Sequence, residues 1–174
     1  KRMNAPFPKQ FMLVKEKPIL MYTIELFYHF NASFQLILTL PQDWIQHWEE
    51  LKVAHDFKIP HRIVSGGEQR YHSIKNALAF CSGDYVLVHD GVRPMVSDET
   101  LSNCLEQSKN KDAVIPVVPI YESLRKKTGA QTEIVDRSEY LLVQTPQVFK
   151  REVLEQGYKQ PFHVGITDDA GLVE

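Results

Sequence analysis

The stretch that decides the fold is Asp84-Tyr85-Val86-Leu87-Val88-His89-Asp90-Gly91-Val92-Arg93-Pro94. Its four consecutive apolar residues, Tyr85 to Val88, are typical of a short buried strand, and charged and turn-forming residues follow at once. In an open α/β sheet, ligands bind outside the carboxyl ends of the strands. The stretch therefore indicates either a ligand site built on Asp90 and Arg93, or a polar loop in which these two residues pair and merely cap the strand.

Length and composition exclude several classes of protein. The chain has 174 residues, 43% of them hydrophobic, and a net charge of −2. This length suits one domain, and the missing basic excess argues against a nucleic-acid partner. No apolar run approaches the ~20 residues of a membrane helix, so no membrane partner is expected. The two cysteines, Cys81 and Cys104, fit buried apolar positions in a reducing compartment, which predicts a cytoplasmic protein.

Strand and helix patterns alternate along most of the chain. Apolar runs predict strands at 34–40, 62–65, 85–88, 112–119 and 141–143. Helical periodicity begins at Pro18, at a capping box of Asp43 and Gln46, after Arg70, after Ser97 and at Arg151. This alternation predicts a single α/β domain over residues 1–174, with a mainly parallel sheet flanked by helices.

Residues 121–140 interrupt the alternation. They are polar, carry Thr128-Gly129 and show no helical stripe, which predicts a hairpin protruding from the compact domain. Such a hairpin either is solvated on all sides or reaches a partner subunit.

Basic and glycine-rich segments suggest anion binding near the start of the chain and after the second strand. Arg2 and Lys9 flank a proline-containing extended segment, which would form an anion site if both residues are not simply solvated. Gly66-Gly67 ends a strand before a helix, where backbone amides can approach a ligand, and Ser73 lies on the first turn of that helix. Neither the dinucleotide-binding fingerprint nor a P-loop is present.

Thr167-Asp168-Asp169 forms a second acidic cluster. Carboxylates at strand ends can hold Mg²⁺ together with substrate phosphates, although capping the next helix is the commoner role of such a triplet. No histidine or cysteine spacing fits zinc, so no dedicated protein metal site is predicted.

A set of motifs taken in order resembles one family, the 2-C-methyl-D-erythritol 4-phosphate cytidylyltransferases of non-mevalonate isoprenoid biosynthesis. The resemblance extends over nearly the whole chain. The motifs are Pro8-Lys9-Gln10-Phe11, Lys17-Pro18-Ile19-Leu20, Gly66-Gly67 with Arg70, Ser73-Ile74 and Asn76, Val88 to Pro94, Val135-Asp136-Arg137, Gln144 to Phe149 and Thr167-Asp168-Asp169-Ala170.

The resemblance implies a Rossmann-like nucleotidyltransferase fold and transfer of CMP from CTP to a sugar-alcohol phosphate, with Mg²⁺ held mainly by the CTP phosphates. It implies catalytic roles for Arg2 and Lys9, and cytidine binding by Gly67, Glu68 and Ser73. Glu68 stands where the family often has Asp, and Ser123 where it often has Thr. The residues implied to bind the acceptor are Asp90, Arg93, Ser123, Arg137, Thr145 and Thr167.

The resemblance also implies that residues 119–140 form a dimerisation arm, which places Ser123 and Arg137 in the partner's site of a homodimer. By the same resemblance, a first strand with its glycine-rich loop is expected before residue 1 and a second catalytic lysine after Glu174. Two alternatives stay open: a ribitol 5-phosphate cytidylyltransferase, which differs around Arg137 and after Thr167, and an inactive nucleotide-binding or dimerisation module.

Overall fold

The computed structural model describes residues 7–174, which form an α/β fold. The α-helices within this range are α1 (Ile19–Phe30), α2 (Ile45–Ala54), α3 (Arg70–Leu78), α4 (Asp98–Ser108) and α5 (Arg151–Gly157). The strands are β1 (Leu13–Val14), β2 (Lys17–Pro18), β3 (Ile37–Leu40), β4 (Arg62–Ser65), β5 (Tyr85–Val88), β6 (Ala113–Val114), β7 (Val117–Pro119), β8 (Arg125–Thr128), β9 (Gln131–Ile134), β10 (Leu141–Val143) and β11 (Gln147–Lys150). Among these residues, no helix has both the length and the apolar character needed to cross a bilayer.

Strand pairing is mixed, which corrects the prediction of a mainly parallel sheet. Strands β3 and β4 pair in parallel, whereas β11 lies between β5 and β6 and runs antiparallel to both. Strand β11 was not predicted, because Gln147 to Lys150 reads as the end of a turn followed by the start of a helix. The chain reaches β11 by returning from the hairpin excursion, so it enters the sheet in the opposite direction.

Two apolar clusters form the core on either side of a cavity of about 390 Å³ lined by β3, β5, α1 and α3. The first contains Phe11, Leu20, Met21, Ile24, Leu40 and Trp48. The second contains Tyr71, Leu78, Val88, Phe149, Leu154, Tyr158, Ala170 and Leu172. Trp48 is fully buried, as its place on an amphipathic helix predicts. Strand β5 is less buried than predicted, since Tyr85 at its start is 37% exposed.

The predicted N-terminal cap is present in α4 and absent in α2. Ser97 caps α4, with its hydroxyl accepting a hydrogen bond from the Thr100 amide at 3.1 Å. The capping box predicted at Asp43 and Gln46 is wrong. A 3-10 turn at Gln42–Trp44 precedes α2, and no side chain caps the start of either helix.

The predicted excursion is a hairpin. Strands β8 and β9 pair antiparallel from Arg125 opposite Ile134 to Thr128 opposite Gln131, and every residue in both strands is exposed. Gly129 closes the turn at φ +63°, a left-handed conformation that glycine adopts without strain. At the base of the hairpin, β7 pairs with β10. The predicted strand 112–119 is split into β6 and β7 at Pro116, which lacks the amide that a continuous ladder needs.

Candidate active site

The loop after β5 forms a polar cluster with the turn before β11. The Arg93 Nε donates to Asp90 Oδ2 at 2.8 Å, and the Arg93 Nη1 donates to the Gln144 side-chain oxygen at 2.7 Å. The backbone amide of Asp90 approaches the Thr145 hydroxyl at 3.4 Å. The structure thus brings together three predicted site residues, Asp90, Arg93 and Thr145. The predicted pairing of Asp90 with Arg93 is present, but it belongs to a wider cluster rather than to a simple cap.

His89 orients the Thr145 hydroxyl. Its Nε2 lies 2.9 Å from the Arg93 carbonyl, which can only accept, so Nε2 carries the proton. Its Nδ1 then accepts from the Thr145 hydroxyl at 3.0 Å. Burial lowers the pKa of His89, and its hydrogen bond to the Arg93 carbonyl opposes that shift only in part. The imidazole is therefore neutral near pH 7 and acts as a positioning group.

The Gly66-Gly67 loop is tied to the first turn of α3 through Ser73. The Ser73 hydroxyl accepts from the Gly67 amide at 3.1 Å and donates to the Gln69 carbonyl at 3.2 Å. The Gly66 amide donates to the Leu40 carbonyl at 2.7 Å, so the loop continues the β3–β4 ladder. Gly67 is required sterically, because a Cβ there would lie 2.3 Å from the His72 Cβ. Glu68 is exposed on the same loop.

The segment carrying Thr167 is fixed by two buried polar residues. The Gln147 side-chain oxygen accepts from the amides of Asp169 and Ala170, both at 3.2 Å, and its nitrogen donates to the Asp168 carboxylate at 2.8 Å. Within the triplet, Asp168 takes the predicted capping role, since its Oδ1 accepts from the Gly171 amide at 3.3 Å at the start of the turn Ala170–Leu172. The buried Asp169 side chain instead accepts from the Arg70 guanidinium and the Tyr158 hydroxyl. Thr167 itself is exposed at the edge of this segment.

Lys9 begins a 3-10 turn, Lys9–Phe11, that Phe11 anchors in the core with 1% of its surface exposed. Gln10, the next residue, lines the central cavity together with Leu40, His89 and Gly91. This turn and the β5 loop therefore border the same cavity. Arg2, the other predicted catalytic residue, is outside the described residues.

Ser123 and Arg137 lie on the excursion, away from the strand-end cluster. Both are exposed, and the Arg137 guanidinium donates to the Tyr121 carbonyl. Within residues 7–174, no hydrogen bond or ion pair joins either residue to Asp90, Arg93, Thr145 or the Thr167 segment. The structure therefore does not bring these two predicted residues into the site of their own chain.

Arg70, Gln144 and Gln147 are contacts of the site that residue patterns alone did not single out as functional, and Asp169 has a different role from the metal ligand or helix cap that its triplet suggested. Their roles depend on pairings between residues as much as 99 positions apart, such as Arg70 with Asp169. The only local signal was the position of Arg70 directly after a glycine-rich loop at a helix start.

A metal cage is not formed within residues 7–174, where no three histidine, cysteine, aspartate or glutamate side chains cluster in a way that could hold an ion. Asp90 is the carboxylate at the site edge, 33% exposed, and two guanidinium groups face it. Mg²⁺ is commonly bound through one or two carboxylates with substrate phosphates and water. Because both Asp90 oxygens already face guanidinium groups, this carboxylate would be at most one ligand of such an ion, and the others would have to come from substrate phosphates and water.

Comparison with known proteins reveals close relatives. The family model described as 2-C-methyl-D-erythritol 4-phosphate cytidylyltransferase matches residues 1–174. Proteins of that name from Bacteroides thetaiotaomicron and Phocaeicola vulgatus are 47% and 46% identical to the chain, over 99% of it and 80% of each relative. The crystal structure of the enzyme of that name from Thermus thermophilus superposes with a TM-score of 0.80 at 27% identity, over 95% of this chain and 77% of the other.

Proposed function

The chain belongs to the 2-C-methyl-D-erythritol 4-phosphate cytidylyltransferase family, and from this membership we propose that it transfers the CMP group of CTP to 2-C-methyl-D-erythritol 4-phosphate. The reaction releases pyrophosphate and yields 4-diphosphocytidyl-2-C-methyl-D-erythritol for isoprenoid biosynthesis. The observation that carries the proposal is the family match over residues 1–174, which includes the motifs gathered at the end of β5. The ribitol 5-phosphate and inactive-module alternatives receive no comparable support.

We propose that the β5 loop is the acceptor half of the site. Asp90, Arg93 and Thr145 present a carboxylate, a guanidinium and a hydroxyl within one hydrogen-bonded cluster, and exposed Thr167 lies on the segment fixed by Gln147. A guanidinium is suited to a phosphate, while the carboxylate and the hydroxyls are suited to the hydroxyl groups of a sugar alcohol. The acceptor phosphate oxygen would attack the α-phosphorus of CTP as the bond to pyrophosphate breaks.

The donor half consists, in this proposal, of the Gly67 loop and the segment of Arg2 and Lys9. The Gly67 backbone, Glu68 and Ser73 would hold cytidine, and the two cations would face the triphosphate. Phosphoryl transfer of this type depends mainly on positioning and on stabilising the charge that develops on phosphate oxygens. Mg²⁺, bound mainly by the CTP phosphates, would supply further charge neutralisation.

We further propose that residues 119–140 form the arm of a homodimer, placing Ser123 and Arg137 in the partner's site. Large apolar side chains are exposed on the arm and its base, including Tyr121 at 76%, Ile134 at 80% and Leu141 at 57%. Exposed Val118 and Leu142 are cross-strand partners in β7 and β10, so part of this apolar surface is continuous, which is typical of a protein interface. A cytoplasmic location stays a prediction.

The direct test is a pyrophosphate-release assay on the full-length protein. Release is expected only when CTP, Mg²⁺ and 2-C-methyl-D-erythritol 4-phosphate are all present. Ribitol 5-phosphate in place of the acceptor should give only background, and so should ATP, GTP or UTP in place of CTP. Absence of pyrophosphate from the complete mixture, with protein that is folded by circular dichroism, would refute the proposed reaction.

Gly67→Ala is expected to raise KM for CTP by roughly tenfold or more, because the loop must move and lose its hydrogen bond to Ser73. The added Cβ would lie 2.3 Å from the His72 Cβ, on the rigid start of a helix. Gly83→Ala is the matched control, since its Cβ would be 3.5 Å from the nearest atom, an ordinary contact. Steady-state kinetics with varied CTP measure the effect, and equal KM values in the two variants would contradict a donor role for this loop.

A further inference from the structure

Arg70 occupies a position between two carboxylates of different kinds. Its Nη2 lies 2.5 Å from the Asp169 Oδ2, and the Asp169 side chain is 1% exposed. Its Nε lies 3.9 Å from the Asp90 Oδ1, at the partly exposed edge of the acceptor cluster. The Arg70 guanidinium therefore faces the buried Asp169 carboxylate on one side and the Asp90 carboxylate of the acceptor cluster on the other.

The buried end of this arrangement is held by several hydrogen bonds to Asp169. The Tyr158 hydroxyl donates to the second oxygen of Asp169, and the Asp169 amide is bound by Gln147. Burial raises the pKa of the Tyr158 hydroxyl, with the Asp169 charge adding to the shift, so Tyr158 stays a donor. A buried carboxylate needs such compensation, because an unpaired charge in the core is strongly destabilising. Asp169 thereby holds the Arg70 guanidinium on the side that faces the core.

The solvent-facing end of the Arg70 side chain lies beside Asp90 and its neighbours. Arg93 holds one carboxylate oxygen at 2.8 Å, Arg70 faces the other, and His89 is the neighbouring titratable group. Arg70 is also the first residue of α3, directly after the Gly67 loop. One side chain thus connects the donor loop, the acceptor loop and the segment of Thr167.

We propose that Arg70 is a positioning residue that orients the Asp90 carboxylate toward the acceptor and sets the spacing between the donor and acceptor halves of the site. It acts through Asp90 rather than on the reacting phosphates. This inference rests on the proposed function, because it assigns Asp90 to the acceptor. Its expected signature is weaker acceptor binding with little change in CTP binding.

The test separates positioning from folding by using a pair of variants in the full-length enzyme. Arg70→Gln combined with Asp169→Asn removes both members of the buried ion pair, so the core keeps hydrogen-bonding groups without an unpaired charge. Arg70→Lys keeps the charge but loses the fork that reaches both carboxylates. Arg151→Gln is the control, because Arg151 also begins a helix and pairs with a carboxylate, that of Glu155, remote from the site.

The double variant is expected to raise KM for 2-C-methyl-D-erythritol 4-phosphate by roughly tenfold, the effect of losing one charge-assisted contact, with KM for CTP changed less than about threefold. Arg70→Lys should show a smaller increase in the same constant, and Arg151→Gln none. If KM for the acceptor is unchanged in Arg70→Lys and in the folded double variant, or if both KM values rise together, the positioning role is refuted. Activity of the wild-type enzyme in the same assay keeps that result distinct from failure of the proposed reaction.

Discussion

Lys9→Gln in the full-length enzyme is expected to lower kcat by about 10²–10³, the usual cost of losing one group that stabilises charge in the transition state. The ammonium would face phosphate oxygens whose charge grows as the bond to pyrophosphate breaks. The substitution leaves the fold intact, since the turn is anchored by Phe11 and the Lys9 side chain takes no part in its backbone hydrogen bonds. Single-turnover measurement of product formation with saturating CTP reports the chemical step directly.

Lys58→Gln is the matched control for this substitution. Lys58 is also a lysine, but its side chain is 80% exposed and pairs with Asp56 in a loop after α2. Exposed pairs of this kind contribute little, so its kcat should equal that of the wild type. A Lys9→Gln enzyme with kcat within about threefold of the control would show that Lys9 does not act in the transition state.

Local signals predicted the elements whose boundaries depend on nearby residues. The apolar run Tyr85 to Val88 is β5, and the Ser97 cap begins α4 with its hydroxyl bound to the Thr100 amide. The polar stretch with Thr128-Gly129 is the β8–β9 hairpin. In each case the propensity of a few adjacent residues agrees with the tertiary structure, so the pattern is sufficient.

The position of β11 depends instead on a long-range pairing. Gln147 and Lys150 flank only two apolar residues, Val148 and Phe149, and the preceding Thr145-Pro146 signals a turn. These residues form a central strand, buried except at Lys150, because β5 and β6 supply ladders on both edges. No local periodicity carries that information, which is why the sheet was predicted as mainly parallel although most of its described pairs are antiparallel.

The sequence predicted which residue types form the site, but it did not predict which of them pair with one another. The family motifs named Asp90, Arg93 and Thr145, and the structure joins them by hydrogen bonds. The roles of Arg70 and Asp169 required the fold, since this buried carboxylate and its guanidinium partner lie 99 positions apart in the chain. Thr-Asp-Asp in sequence favours a helix cap, which Asp168 provides, and only burial shows that Asp169 needs a cation.

Arg137 provides the sharpest test of the proposed dimer arm, because the substrate that it is proposed to contact is bound in the site of the neighbouring subunit. Within one chain, the described contacts of Arg137 are confined to the excursion, where it donates to the Tyr121 carbonyl. Combining Ser123→Ala with Arg137→Gln is expected to lower kcat/KM for the acceptor by about 10²-fold, through loss of a hydroxyl and a charge-assisted contact. The variant should remain folded, since both side chains are exposed.

Subunit complementation then decides between action within a chain and action across the dimer. Lys9→Gln is co-expressed with the Ser123→Ala/Arg137→Gln chain, each with its own affinity tag, and the heterodimer is isolated on both tags in turn. If the arm serves the partner, one of the two sites receives native Lys9 from one chain and native Ser123 and Arg137 from the other. In a symmetric dimer the heterodimer should then recover about half of the wild-type activity, although each parent is nearly inactive. Action within a chain leaves both sites defective, so activity no higher than the parental average, or failure to isolate a heterodimer, would contradict the proposed arm.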